Sequence, residues 1–191
     1  MTVAAALLQQ CRRGRALSQT ALGARAGIPQ ASIARTERGA RDVTVGTLDR
    51  LVRAAGYRLT VIPTRSATVA DAADLVTAGL AAQNEDAPFR AVIQMADDLA
   101  REHGAERVVL TVNPPRSTGD VRFDAFLAGV VELRLDEERL PHPKWLAKAP
   151  RLAEQWFVAD WLEGDQVTIN ATPTQLRARG VIIDAAELVS A

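Results

Sequence analysis

A chain of 191 residues with 48% hydrophobic content can bury a substantial core and suits one medium domain or two small ones. Its 23 basic and 23 acidic residues cancel, but unevenly: residues 1–64 hold ten arginines, no lysine and three acidic residues, a net +7, while residues 65–191 hold 13 basic and 20 acidic, a net −7. No apolar run reaches 18 residues, no amino-terminal segment has a signal-peptide layout, and one cysteine excludes an intrachain disulfide, so the expectation is a soluble, cytoplasmic protein with no membrane partner.

Leu7, Leu8, Cys11 and Gly14 belong to a first helix, with Leu8 and Cys11 at core spacing. Residues 17–39, LSQTALGARAGIPQASIARTERG, follow. Ser18 suits a helix N-cap, and Leu22 and Ala26 put an apolar stripe on that helix. Gly27 stands where the chain must turn sharply with positive φ. Pro29 suits the first turn of the next helix, where its missing N–H costs nothing. Ile33 turns inward and leaves Gln30, Ala31, Ser32, Ala34 and Arg35 on the outer faces, and Gly39 ends the helix. Thr44 then caps a helix with Val45, Leu48, Leu51, Val52 and Ala55 on one face, and Gly56 stops it.

On these residues, segment 3–56 resembles the lambda-repressor/Cro-like (XRE) helix-turn-helix family, a bundle of four or five helices whose second motif helix enters a DNA major groove. Cys11 and Ala31 depart from it: the family commonly has a larger aliphatic at the first position and a polar residue at the second. The resemblance implies a DNA-binding set of Gln19, Gln30, Ala31, Ser32, Arg35, Arg38 and Arg41. Within that set, Gln30, Ser32 and Arg35 would face base edges, and Gln19 and Arg41 would lie nearer phosphates. It also implies a partly buried ion pair between Arg12 and Glu37. The basic charge of this half fits a phosphate backbone, where each neutralised phosphate releases counterions. Arginine suits bidentate phosphate and guanine contacts, although GC-rich coding would also favour it over lysine.

Tyr57–Pro63 alternates and is β-branched, which predicts a short strand closed by Pro63. A lone strand must pair within the chain or with a second copy, as it does across the dimer in some antitoxin relatives of the family; an extended linker is the alternative. Thr64–Thr68 reads as a polar hinge. Helices are expected over 69–83, with Val69, Ala73, Val76 and Leu80 on one face, and over 87–103, with Phe89, Val92, Ile93, Ala96 and Leu99 inward. Residues 107–112 are a short strand or a helix end; periodicity does not decide. The breaker Asn113–Gly119 precedes a long helix, 120–138, capped by Asp120. Trp145, Trp156 and Trp161 either fill a small core or form a partner patch. Residues 172–180 read as a capped short helix, followed by the apolar run Val181–Ile183 and a terminal turn, Ala185–Val189, capped by Asp184.

The pattern from Gly119-Asp120 through FDAFLAGVVEL, PHPKW and WF to TPTQLRARGVIIDAAEL is similar to a carboxy-terminal region common in actinobacterial helix-turn-helix proteins. Such proteins are often encoded beside a nucleotidyltransferase-like protein of the AbiEii type, and are then taken to be the antitoxin. The resemblance spans roughly residues 118–189.

Little in the chain suggests catalysis. His103 at a helix end and His142 between prolines read as structural or solvated, Asp136-Glu137-Glu138 as a solvated helix end, and one cysteine with two scattered histidines makes no zinc site. No glycine-rich phosphate loop is present. Neither a metal nor a cofactor is expected, and the chain is not expected to be an enzyme. The fold class expected is mainly α: a four- or five-helix lambda-repressor-like DNA-binding domain (1–56), a short β-strand and linker (57–68) and a helical partner-binding domain (69–191). The function implied is a homodimeric regulator that binds an inverted-repeat operator in double-stranded DNA, represses its own operon as an antitoxin and holds a nucleotidyltransferase-like toxin through its acidic half. The alternatives are a one-component repressor whose carboxy-terminal domain senses a small molecule, and an enzyme or effector targeted to DNA.

Overall fold

In a computed structural model, which describes residues 2–40, 43–158 and 166–189, hydroxyl caps begin three of the first four helices. Thr2 accepts from the Ala5 N–H to start α1 (Val3–Gly14), Ser18 from Ala21 to start α2 (Gln19–Ala26), and Thr44 from Thr47 to start α4 (Val45–Ala54). Between the last two, α3 (Gln30–Glu37) begins behind Pro29, which stands one position earlier than expected, at the cap itself. Leu8, Cys11, Leu22, Ile33, Leu51, Val52 and Ala55 meet in the core of this bundle. Val45, expected on the inner face, is 75% exposed, because the first turn of α4 projects past the core.

The strand expected at residues 57–63 does not form: residues 57–62 carry no regular structure. Leu59 packs against the helical core while Val61 is exposed. The alternation is there, but no segment of the described chain supplies the ladder a strand requires.

The chain divides into two compact units, residues 1–62 and 63–191. In the second, a capping box between Thr68 and Asp71 starts α5 (Val69–Ala81). Helices α6 (Asp86–Arg101), α7 (Gly104–Val112) and α8 (Val121–Glu137) follow. Residues 107–112 are thus the body of a helix, not a strand. Asp120 caps α8, accepting from the Arg122 N–H. The sequence of α8 is apolar on nearly every face, so it lies at the centre, with Ala125, Phe126, Ala128, Val130, Val131 and Leu135 fully buried. It packs against α5, α6 and α7, and against the short helix α10 (Thr174–Arg177), which follows α9 (Gln166–Ala171). The strands of the fold are here: β1 (Trp156–Phe157) pairs in parallel with β2 (Val181–Ile182), Trp156 opposite Val181. A 3₁₀ turn capped by Asp184, Ala185–Leu188, ends the described chain's regular structure.

Two expectations for this unit are corrected and a third is extended. Ser66 and Ala67 are not a free hinge: the Ser66 hydroxyl donates to Glu102 and the Ala67 N–H to Asp98, tying the segment to α6. Thr172 does not cap α10; its hydroxyl donates to the Thr168 carbonyl and accepts from the Ile183 N–H. The acidic end of α8 is solvated at Asp136 and Glu137, as expected, and is also a junction. Asp136 accepts from His142 and Gln175, Glu137 pairs with Arg107 and Arg134, and Glu138 meets His103 and the Gly104 N–H. Trp156 packs edge-on to Phe123 and Phe126, and the Trp145 indole N–H donates to the Thr111 carbonyl. Trp161 lies outside the described residues. Among the described residues, no helix is long and apolar enough to cross a membrane.

Candidate nucleic-acid interface

The turn between α2 and α3 is set by two glycines. Gly27 adopts φ of 64°, the left-handed region, and the Ile28 N–H reaches back to the Gly23 carbonyl at 2.9 Å, satisfying an open helix end. A Cβ on Gly23 would lie 2.5 Å from the Ile28 carbonyl oxygen, so the turn closes only over a bare α-carbon. Ile33 and Thr36 then seat α3 against the core. This leaves Gln30, Ala31, Arg35 and Arg38 exposed, with Ser32 and Ala34 at the margin. Five of the seven sequence-proposed residues therefore share one short helix and its cap. Gln19 stands at the start of α2, and Arg41 lies outside the described residues.

Behind that face runs a chain of polar contacts. Arg12 of α1 grips Glu37 at the end of α3 with two parallel bonds, Nε to Oε1 at 2.6 Å and Nη2 to Oε2 at 2.9 Å. Its third nitrogen donates to the Leu17 carbonyl. Glu37 also accepts from Gln19 Nε2 at 2.9 Å, and Gln19 Oε1 accepts from Gln30 Nε2 at 2.9 Å. Glu37 is 2% exposed. Burial alone would raise its carboxyl, but the bonds from Arg12 and Gln19 and the charges of Arg12 and Arg13 outweigh this and hold it below the ordinary value. The bond to Glu37 in turn raises the Arg12 guanidinium. Burial pushes the Cys11 thiol up, which keeps it neutral and unreactive.

Gln19 is thus half-buried, with its carbonyl and one N–H engaged inside the bundle. It aims Gln30 and ties it to the buried pair. Gln30 keeps a second N–H and its carbonyl, the donor–acceptor combination that matches adenine N6 and N7 in a major groove. Among the described residues the Arg35 guanidinium donates only to Ser32, at 3.5 Å, and its fork is open to guanine or phosphate. A groove of about 270 Å³ beside α3 sets Arg35 next to Thr44, Thr47 and Arg50 of α4. Sequence reasoning took Thr44 only as a cap and passed over Arg50. The signal was available, since Arg50 precedes the buried pair Leu51-Val52 and must therefore lie on the opposite side of α4.

Residues 4–61 match the family of the helix-turn-helix domain. The amino-terminal unit is a helix-turn-helix domain. Its partner is accordingly DNA, and α3 is the motif's second helix. The match covers under a third of the chain and does not extend into the acidic half. No curated protein and no solved structure matches the chain.

Proposed function

We propose that this chain is a sequence-specific transcriptional repressor, working as a homodimer in the cytoplasm on a short inverted repeat. Its α3 helices would enter successive major grooves about one turn of DNA apart. The observation that carries the reading is the exposed face of α3: Gln30, fixed from behind by Gln19, beside the open guanidinium of Arg35. The test is selection of operator sequences from random duplexes by the full-length protein, repeated with Arg35→Ala. A palindromic consensus that loses definition at one position per half-site supports the reading; an unchanged consensus and affinity refute the assignment of Arg35.

We further propose that the protein is the antitoxin of a two-gene module, with residues 63–191 holding a nucleotidyltransferase-like toxin. The support is the sequence resemblance over roughly 118–189 together with the reversal of charge between the halves. Co-expression with the product of the adjacent gene, followed by capture of the complex and a growth-rescue assay, tests it; absence of both capture and rescue rejects it. A small-molecule sensor fits less well. A depression of about 480 Å³ is open and lined by four residues of α6 alone, and a groove built from several segments holds about 190 Å³, below the roughly 300–1,000 Å³ usual for ligand sites.

A further inference from the structure

That groove does have a chemistry of its own. Its floor is Leu127 of α8 and one wall is Trp145, whose ring is fixed by the indole bond to the Thr111 carbonyl at 2.8 Å. Pro114, Pro115 and Pro150 close it from the loops on either side. Rings fixed in this way pay little entropy on binding. Two cations, Arg116 and Lys148, also line the groove, and neither forms an ion pair among the described residues. Its one carboxylate, Asp124, is engaged by Ser117 and by the N–H and hydroxyl of Thr118 at 2.7–2.8 Å.

The surroundings extend this positive character. The chain has only two lysines, Lys144 and Lys148, and they flank Trp145. Between residues 139 and 153 there are four basic residues and no acidic one, on a half whose net charge is −7. A local cationic patch with an aromatic wall and a small apolar seat matches a segment bearing carboxylates around one apolar side chain. The volume suits a side chain, not a drug-sized molecule. A half-buried Trp with its N–H turned inward is a poor platform for successive bases, which disfavours a nucleic-acid strand.

We propose that the Trp145 groove docks an acidic peptide segment of a partner protein, one apolar side chain seated against Trp145 and the flanking carboxylates held by Arg116 and Lys148. This rests on the reading of residues 63–191 as the partner-binding half.

The experiment selects random dodecapeptides displayed on phage against immobilised full-length protein, with a double variant, Arg116→Glu and Lys148→Glu, as the counter-target. Both positions are exposed, and an unchanged circular-dichroism spectrum and melting transition of a variant fragment of residues 63–191 serve as the control for folding. Enriched peptides should combine Asp or Glu with one Leu, Phe, Trp or Pro, and a synthetic winner should bind the double variant at least about tenfold more weakly. No enrichment, enrichment without an acidic bias, or equal binding to the variant overturns the proposal. So does an oligothymidylate that binds wild type and is lost in the variant, since the groove would then serve nucleic acid. Capture of the adjacent-gene product separates the two readings. If wild type and variant retain it equally, the groove assignment fails while the partner-binding reading stands. If neither retains it but acidic peptides still select the groove, the toxin assignment fails alone.

Discussion

The side chains on the exposed face of α3 are held by side chains that lie behind it. Arg12, Glu37, Gln19 and Gln30 form one relay of hydrogen bonds, buried at Glu37 and exposed at Gln30, so a loss at Arg12 is expected to reach Gln30, eighteen residues on in the sequence. Arg12→Ala strands a carboxylate that is 2% exposed, which is expected to cost about 3–5 kcal/mol of stability. Equal melting of variant and parent would contradict it. The pH dependence follows from the same pair. The Glu37 carboxyl sits below its ordinary value when folded, so its contribution is complete above the ordinary carboxylate range and is lost as pH falls through the depressed value. The stability gap between wild type and Glu37→Gln is therefore expected to be constant near neutrality and to close on acidification, as denaturant titrations across that range would register. At the surface the cost moves to binding: Gln30→Ala and Arg35→Ala should each lose about 1–3 kcal/mol of operator affinity and relax one position, with melting unchanged. The family resemblance supplied the Arg12 and Glu37 partnership, but not Gln19. Read as a phosphate contact, Gln19 is half-buried and bonded to Glu37 and Gln30, because a linear pattern shows which helix face a residue occupies and not which side chains meet there.

At the scale of elements, the two glycines of the turn make separable predictions. A Cβ on Gly27 would meet nothing within 4 Å, so Gly27→Ala carries only the left-handed backbone, about 1–2 kcal/mol. Gly23→Ala drives its methyl against the Ile28 carbonyl, a backbone atom that moves only if the turn opens. It is expected to abolish operator binding as well as lower the melting temperature, whereas Gly27→Ala keeps binding. In the acidic unit, Gly129→Ala meets Leu176 Cδ2 at 2.6 Å and its α-carbon at 3.3 Å, where α8 and α10 cross. Leu176 is fully buried and has no room to retreat, so about 1–3 kcal/mol is expected from overpacking, measurable by chemical denaturation. The amino-terminal helices were legible because their signals are local: hydroxyl caps, a glycine after each of α2, α3 and α4, and apolar residues three and four apart. Residues 57–63 alternate without forming a strand in the single chain, because alternation is local and a partner is not. Strand β2 reads in the sequence only as an apolar triplet, Val181–Ile183, since its partner Trp156 lies 25 residues earlier. Nor does the sequence distinguish Arg107 and Arg179, 2% and 1% exposed, from the many arginines at the surface. Each is buried because carbonyls and a carboxylate from distant segments converge on it, Glu132 in the case of Arg179.

For the whole molecule, the division of charge and the division of structure fall at the same place. The compact units meet between residues 62 and 63, and the ten arginines of the basic half all lie before that point. Each unit has its own buried cluster, Leu8 to Ala55 in one and Val69 to Leu188 in the other. Each is therefore expected to fold alone, provided the cut leaves Ser66 and Ala67 with the α6 carboxylates that hold them. A fragment of residues 1–62, at net +7, should keep the operator preference of the full chain, with an affinity that falls steeply as salt rises. It should bind more weakly than the full chain if later helices supply the dimer contacts. A fragment of residues 63–191, at net −7, should bind no DNA, because its net negative charge repels phosphates. If the protein is an antitoxin as proposed, this fragment should still neutralise the toxin in cells. Electrophoretic shifts with each fragment, read beside growth rescue, decide the matter. Rescue by residues 1–62, or DNA binding by residues 63–191, would mean that charge and function are divided differently from the way proposed.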